Sequence, residues 1–236
     1  MASPVTVEYI ASCQTYEGGF GGEPFTEAHG GYAYCAVAAL QLLDRLDDTS
    51  IDMNALRGWL LRRQMGYEGG FSGRANKLVD GCYSFWQGGA LAIVSAHYTA
   101  TYDAQSKLAR ADHNSRGDIW LPKASFPGDG LQESVQYSPM SYAMLFDKPM
   151  LQRYILLCAQ DVSGGLRDKP SKPRDFYHSC YNLSGLALSQ HSGNGSMSSQ
   201  ENFGHPTQSK VAVSHPCYNL RLSRAKAVLE HFSSMP

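Results

Sequence analysis

Hydrophobic residues recur with helical spacing in several stretches of the chain. One such apolar face is formed by Met150, Leu151, Tyr154, Ile155 and Cys158. Leucines at 56, 60 and 61 follow the same spacing before Gln64, and a last helical pattern covers residues 223–233. Spacing near 3.6 residues is typical of an amphipathic α-helix with one face turned towards a core. The chain is therefore predicted to contain several helices of this kind.

Pairs of glycines follow three helical patterns. They are Gly18-Gly19, Gly69-Gly70 and Gly164-Gly165. Glycine adopts positive φ angles at little cost and often follows the end of a helix. Beyond each pair and a polar loop comes a more uniformly apolar stretch, over 32–46, 82–97 and 178–190. Such uniform apolarity predicts three inner, largely buried helices.

The alternation of an outer helix, a Gly-Gly loop and an inner helix predicts an all-α fold. Helix pairs that repeat in this way stack side by side into a solenoid or a closed ring. We expect about three such pairs in a single domain over residues 1–236. Residues 99–135 and 192–210 do not fit the repeat and are rich in small and polar side chains. They are predicted to be surface loops or insertions.

Composition narrows the classes of function. The 236 residues carry 20 Lys and Arg against 21 Asp and Glu, a net charge of −1, which argues against a protein that coats nucleic acid or membranes. Runs of about 18 apolar residues, needed to cross a bilayer, are missing, and the N-terminal residues do not resemble a secretion signal. The six cysteines form no C-x-x-C pair. Reduced thiols in the cytoplasm are therefore expected.

Residues with functional side chains stand at equivalent positions after the glycine pairs. Counting from the second glycine, they are His29, Asp80 and Asp175 at position ten, Gly31, Cys82 and Tyr177 at twelve, Tyr32, Tyr83 and His178 at thirteen, and Cys35, Trp86 and Tyr181 at sixteen. These positions fall at the starts of the predicted inner helices. Free backbone N–H groups and the helix dipole favour an anion there.

Positive charge near the second inner helix supports an anion site. Arg74 and Lys77 precede that helix, and His29 and Tyr83 add hydrogen-bond donors. These residues together favour a diphosphate or a similar group. The alternative is that Arg74 and Lys77 are ordinary solvated loop charges, as most charged residues are.

Asp80, Cys82 and His178 form a second candidate cluster. Carboxylate oxygen, thiolate sulfur and imidazole nitrogen all bind zinc, and three protein ligands leave the fourth position open for catalysis. The alternative is an accidental D-x-C pattern in which Cys82 is a small buried hydrophobe.

Aromatic residues also gather at the inner-helix starts. They are Tyr32, Tyr34, Tyr83, Phe85, Trp86, Tyr177 and Tyr181. Aromatic side chains usually pack in a core. A ring of inner helices can also enclose a cavity, and these rings would suit one that holds a long hydrocarbon.

Three segments, 27–32, 73–87 and 174–181, resemble sequence blocks of the protein prenyltransferase β-subunit family, in the same order. The resemblance covers nearly the whole chain apart from 99–135 and 192–210. Within the family, Leu78-Val79-Asp80-Gly81-Cys82 and Asp175-Phe176-Tyr177-His178 look like the farnesyltransferase type. Tyr181 also matches that type, whereas the type I geranylgeranyltransferase is expected to have Phe there.

The resemblance implies an α–α toroid and a zinc-dependent transferase. Asp80, Cys82 and His178 would hold one Zn²⁺, which takes the cysteine of a C-terminal CaaX protein tail as its fourth ligand. Metal binding lowers the pKa of a thiol, so that a thiolate is present at neutral pH. Prenylation would then transfer the farnesyl group of farnesyl diphosphate to this sulfur.

The resemblance also assigns roles to single residues. His29, Arg74, Lys77 and Tyr83 would hold the diphosphate, with Lys77 and Tyr83 stabilising the leaving group. Tyr32, Cys35 and Trp86 would line the farnesyl pocket, and Gly31 would allow close approach. Tyr177 would face the peptide, Tyr181 would limit isoprenoid length, and Asp168 would engage Mg²⁺ on the diphosphate.

Family β subunits are longer and have further helix pairs ahead of the first pair found here. They also act as heterodimers with an α subunit that adds a lysine to the diphosphate site. The chain is therefore expected to be a C-terminal portion and an incomplete ring, with activity in isolation left open. Two alternatives remain: a type I geranylgeranyltransferase β subunit, and a truncated, non-catalytic helical-repeat binding protein.

Overall fold

The computed structural model describes residues 4–110, 144–191, 202–205 and 207–234. The helices are α1 (Pro4–Ser12), α2 (Gly30–Leu42), α3 (Met53–Leu61), α4 (Tyr83–Arg110), α5 (Lys148–Arg153), α6 (Phe176–His191) and α7 (Leu222–Ser233). A π-helical turn, Tyr154–Ala159, continues α5. Two short strands, β1 (Ser214–His215) and β2 (Leu220–Arg221), pair antiparallel before α7.

The helices form the predicted pairs. Outer helices α1, α3 and α5 each lead through a Gly-Gly loop to inner helices α2, α4 and α6. Helix α4 packs against both α2 and α6, so the three inner helices lie side by side in chain order. This arrangement confirms the all-α helix-pair architecture that the repeat predicts.

The core lies between the inner helices and their outer partners. Residues 90–94 of α4 are buried on every side, as the uniform apolarity of this stretch predicts. Trp59 and Leu60 of α3 are also fully buried against it. Burial of one large apolar side chain contributes about 1.5–3 kcal/mol, so this shared core holds the pairs together. In the part of the chain that is described, no helix is long and apolar enough to span a membrane.

The Gly-Gly loops join each repeat to the next. Gly18 and Gly69 have φ angles of 102° and 80°, where other residues are strained. A Cβ atom on Gly18 would lie 2.1 Å from the carbonyl oxygen of Ala55 in α3, and one on Gly69 would lie 2.6 Å from that of Met150 in α5. Both glycines are therefore required by backbone angle and by close packing on the next outer helix.

A glutamine before each glycine pair adds a polar connection. The Gln14 amide donates to the backbone oxygen of Asp52 (2.9 Å) and accepts from its N–H (2.9 Å). Gln64 repeats this with Asp147, at 2.9 and 2.8 Å. Each aspartate in turn caps the N-terminus of the next outer helix. The equivalent Gln160 is exposed, and its side chain forms no hydrogen bond with the described residues.

Residues 99–110 differ from the prediction. They were expected to begin a surface loop, but α4 continues through them to Arg110. This stretch contains no Gly or Pro, and the hydroxyls of Thr99 and Thr101 bond back to helix carbonyls at 3.0 and 2.9 Å. Residues 111–135 of that prediction lie outside the described residues. In the second predicted loop, residues 202–205 and 207–210 are irregular, and the remainder is not described.

The β1–β2 hairpin was not predicted from the sequence. It packs against α6, and the Tyr34 hydroxyl of α2 donates to the backbone oxygens of Pro216 (2.7 Å) and Cys217 (3.0 Å) between the two strands. Burial raises the pKa of Tyr34, which keeps this hydroxyl protonated as a donor. Tyr34 therefore anchors the hairpin. Of the aromatic residues considered for the lining of a cavity, Tyr34 is instead buried and bonded to this hairpin.

Replacement of Gln64 by alanine tests the connection between repeats. Loss of the amide leaves the Asp147 backbone groups without their partner, so we expect the free energy of unfolding to fall by about 1–2 kcal/mol. Urea unfolding followed by circular dichroism measures it. Gln160→Ala is the matched control and is expected to change stability by less than about 0.5 kcal/mol. Equal losses in the two variants would contradict the proposed role of Gln64.

Candidate active site

Three metal-binding side chains converge where α4 and α6 begin. Asp80 and Cys82 stand in the turn before α4, and His178 lies in the first turn of α6. Their ligand atoms all lie within 4.8 Å of one another, and His178 Nε2 is 3.2 Å from Asp80 Oδ1. Within the described residues, this is the one such group of three. The sequence assigns Asp80 and Cys82 to the second repeat and His178 to the third, and the fold brings the two repeats together here.

The donor set fits a zinc ion. It offers one oxygen, one sulfur and one nitrogen, which are the donors that zinc takes in catalytic sites with an open position. Cys82 is only 4% exposed, and burial followed by the Asp80 carboxylate raises its pKa. A cation at this point reverses that balance, because a coordinating thiol loses its proton. A metal ion would thus stabilise the Cys82 thiolate, which burial and the Asp80 carboxylate otherwise disfavour.

Backbone bonds hold this turn in place. Asp80 Oδ1 accepts the Cys82 N–H at 2.8 Å, which bends the chain so that both side chains face the same space. The Gly81 N–H between them donates to the Asp168 carbonyl at 2.7 Å. Asp168 itself uses its carboxylate to pair with Lys169. The segment after the third Gly-Gly pair therefore supports the metal ligands of the second repeat.

Asp175 orients the histidine ligand. Its carboxylate accepts from the His178 backbone N–H (2.7 Å) and contacts His178 Nδ1 (2.6 Å). These hydrogen bonds, the backbone one first, lower the pKa of Asp175 and keep it ionised. A proton on Nδ1 leaves Nε2 free for a metal, as in many histidine sites. Sequence reasoning gave Asp175 no role, although an Asp directly before a helix is an N-cap signal.

His29 and Tyr83 form the neighbouring polar pair. His29 Nδ1 accepts the Gly31 N–H at 3.1 Å, so the ring proton lies on Nε2 and is donated to the Tyr83 hydroxyl at 2.9 Å. Burial first, and Arg74 second, lower the pKa of His29, so the ring is neutral at pH 7. Tyr83 therefore keeps its own hydroxyl proton for another acceptor.

The expected cations lie in different environments. Arg74 pairs with Glu27 at 2.5 Å, with both side chains partly exposed. Its loop runs directly over Tyr83, since a Cβ on Gly73 would lie 2.0 Å from the Tyr83 ring. Lys77 is exposed and makes no polar contact with the described residues. Glu27 was not singled out from the sequence, because an acidic residue beside a predicted anion site has no distinctive pattern.

Aromatic rings extend the site along α4 and α6. The Trp86 indole donates to the Tyr177 hydroxyl at 3.0 Å, and the Trp86 and Tyr181 ring centres lie 4.4 Å apart. Tyr177 also lies against His178, with ring centres 5.1 Å apart. Burial raises the pKa of Tyr177 to about 12. This aromatic cluster (Trp86, Tyr177 and Tyr181) therefore adjoins the metal ligands directly.

Residues at the start of α2 complete the picture. Tyr32 is half exposed and lies against His29, with ring centres 5.4 Å apart, and Cys35 is exposed one turn later. A Cβ on Gly31 would meet only the His29 ring, at 3.4 Å. The space above Gly31 is therefore open to a ligand.

The role of Asp175 leads to a direct test. Asp175→Asn removes the charge that holds Nδ1–H of His178, so we expect zinc affinity to fall about 10-fold or more. Competition with a chromophoric chelator measures the dissociation constant. Asp161→Asn is the control, because Asp161 pairs with Arg167 and Arg174 at 3.5 and 3.6 Å rather than with a metal ligand. Unchanged affinity in Asp175→Asn would show that this bond does not tune the site.

Comparison with known proteins agrees with this arrangement. Residues 2–220 match the family described as "Prenyltransferase alpha-alpha toroid domain". The chain is 43% identical over 203 residues to the protein farnesyltransferase subunit beta of Arabidopsis thaliana, covering 78% of this chain and 42% of that protein. It is 39% identical to the same subunit of Pisum sativum, covering 97% and 59%. The chain thus spans about half the length of these curated relatives.

A solved structure shows the same fold. Candida albicans protein geranylgeranyltransferase-I complexed with GGPP superposes with a TM-score of 0.63 at 21% identity, covering 96% of this chain and 50% of that one. Agreement at this identity concerns the fold alone. Family membership is shown instead by the match over residues 2–220. This chain belongs to the prenyltransferase α–α toroid domain family.

Proposed function

We propose that this chain acts as the β subunit of a zinc-dependent protein farnesyltransferase in the cytoplasm. The reaction transfers the farnesyl group of farnesyl diphosphate to the cysteine thiol of a C-terminal CaaX motif. The observation that carries the proposal is the convergence of Asp80, Cys82 and His178 beside the His29–Tyr83 pair. The relatives named as farnesyltransferase β subunits support the same function.

The first part of the reaction concerns the protein substrate. Asp80, Cys82 and His178 would hold Zn²⁺, which, when bound, lowers the pKa of the substrate thiol so that it reacts as a thiolate at neutral pH. Tyr177 would contact the CaaX tail; its position beside His178 and its half-exposed ring support this role. The C–S bond then forms at C1 of the farnesyl group as its C–O bond to diphosphate breaks.

The second part concerns the leaving diphosphate. Because His29 donates to Tyr83, the Tyr83 hydroxyl can donate to a diphosphate oxygen and stabilise the charge that develops there. Arg74 and Lys77 add positive charge. An exposed ion pair contributes only about 0–1 kcal/mol, so a diphosphate can take Arg74 from Glu27 at small cost. Asp168 would engage Mg²⁺ on the diphosphate.

The hydrocarbon chain would lie along the exposed starts of the inner helices. On α2 the exposed surface is formed by Gly31, Tyr32 and Cys35, and on α4 and α6 Trp86 and Tyr181 pack against each other. An apolar isoprenoid would cover these surfaces. An α subunit would supply the partner of the heterodimer, and CaaX proteins would be the substrates.

Geranylgeranyl transfer is the second candidate, since the type-1 β subunit of Arabidopsis thaliana is 32% identical over 194 residues. The position of Tyr181 against Trp86 favours the shorter isoprenoid. A non-catalytic helical-repeat binding protein is the third candidate. Binding of an α subunit without any prenylated product would favour it.

Cys82→Ala tests the proposed enzyme. The parent chain, purified with an α subunit, is expected to farnesylate a CaaX peptide and to bind one zinc ion. Cys82→Ala removes the sulfur ligand, so zinc content and turnover should both fall by at least about 100-fold. Cys180→Ala is the control, because Cys180 is exposed and lies outside the metal cluster. Normal zinc binding in Cys82→Ala would refute the ligand assignment.

Tyr181→Ala tests chain-length selection. Removal of this ring opens space beside Trp86, so the ratio of kcat/KM for farnesyl over geranylgeranyl diphosphate should fall about 10-fold. Tyr34→Phe serves as the control, because Tyr34 bonds to the C-terminal hairpin instead. A parent enzyme that prefers the longer diphosphate, or an unchanged ratio in Tyr181→Ala, would contradict the role of Tyr181.

A further inference from the structure

A buried amide lies behind the metal ligands. Asn182 follows His178 by one turn of α6 and is fully buried. Its Nδ2 donates to the carbonyl oxygens of His178 (2.9 Å) and Arg167 (3.1 Å). Both partners are acceptors, so the NH₂ side of the amide must face them, and both of its hydrogens are used.

The other side of this amide faces the turn that carries Asp80 and Cys82. A Cβ atom on Gly81 would lie 2.3 Å from Nδ2 and 2.6 Å from Oδ1 of Asn182, closer than real heavy atoms approach. The Gly81 backbone therefore rests directly on the Asn182 side chain. The Oδ1 atom is buried and has no hydrogen-bond partner among the described residues.

These contacts belong to one network of hydrogen bonds behind the candidate metal site. Asn182 holds the Arg167 carbonyl, and the next carbonyl, that of Asp168, accepts both the Gly81 N–H (2.7 Å) and the Tyr154 hydroxyl (2.8 Å). The Gly81 turn, between two of the proposed metal ligands, is thus bonded to the Asp168 carbonyl and packed against Asn182 and the Arg167 carbonyl. His178 belongs to the same network, because its carbonyl oxygen accepts from Asn182 Nδ2.

We propose that Asn182 is a positioning residue that sets the distance between His178 and the Asp80–Cys82 turn, and so determines the affinity and geometry of the metal site. Packing alone does not account for an amide here, because its two donated hydrogen bonds join the His178 carbonyl to the Arg167 carbonyl, and an apolar side chain of similar size would make neither bond. The inference rests on the proposed zinc function. It assigns to Asn182 a role that none of the three ligands can fill by itself.

Metal binding to the full chain tests this role. Zn²⁺ affinity is measured by chelator competition, and Co²⁺ is used as a spectroscopic probe of ligand geometry. Asn182→Leu is expected to weaken Zn²⁺ binding about 10-fold or more and to shift the Co²⁺ absorption bands. Gln190→Leu is the matched control, since Gln190 lies on the same helix, is 3% exposed, and bonds to the backbone of Ser209 and Val211 at 2.8 and 3.0 Å. The Gln190→Leu variant should be less stable than the parent but keep the parent's Zn²⁺ affinity and Co²⁺ spectrum.

A second variant covers the case in which Asn182→Leu does not fold. Asn182→Ser is expected to keep the bond to the His178 carbonyl, as Ser184 does with Cys180 at 3.0 Å, but to lose the bond to the Arg167 carbonyl and the packing contact with Gly81. Its Zn²⁺ affinity should lie between those of the parent and Asn182→Leu. Parent-like affinity and Co²⁺ spectra in the folded variants would overturn the positioning role alone. A parent chain that binds neither ion would overturn the zinc enzyme, and the positioning role with it.

Discussion

The site depends on the packing of the α4 start against the α6 start. Two of the proposed metal ligands come from the second repeat and one from the third, so neither repeat contains the candidate site by itself. The bond from the Gly81 N–H to the Asp168 carbonyl joins the two repeats at this level. Only glycine fits at position 81, because any side chain there would collide with Asn182. A shift of the two helices by a fraction of an ångström would therefore separate the donors that are proposed to share one ion.

The repeat that builds the fold also brings the candidate functional residues together, at the N-terminal ends of the inner helices. Each Gly-Gly loop packs on the next outer helix, and each inner helix presents its N-terminal residues at one level. The first repeat contributes His29, the second Arg74 and Tyr83, and the third His178 and Tyr181. A neutral His29 that donates to Tyr83 leaves that hydroxyl available to an anion. The proposed diphosphate, metal and hydrocarbon sites thus follow one another along the starts of the inner helices.

The sequence was sufficient for the elements whose signal is local or repeated. The inner helices were predicted at 32–46, 82–97 and 178–190 and lie at 30–42, 83–110 and 176–191. Equivalent offsets from the glycines also identified Asp80, Cys82 and His178 as neighbours. What sequence could not show depends on contacts between distant segments: the Glu27–Arg74 pair, the hairpin over Tyr34 and the place of Asn182 beside Gly81. The helical stretch 99–110 was missed because its polar composition outweighed its lack of helix-breaking residues.

The central claim is that one oxygen, one sulfur and one nitrogen from Asp80, Cys82 and His178 bind a single zinc ion. X-ray absorption at the zinc edge, on the full chain loaded with one equivalent of Zn²⁺, tests it most directly. The account predicts one sulfur scatterer at about 2.3 Å, with nitrogen and oxygen scatterers at about 2.0–2.2 Å. A first shell with no sulfur, or with two or more, would contradict it.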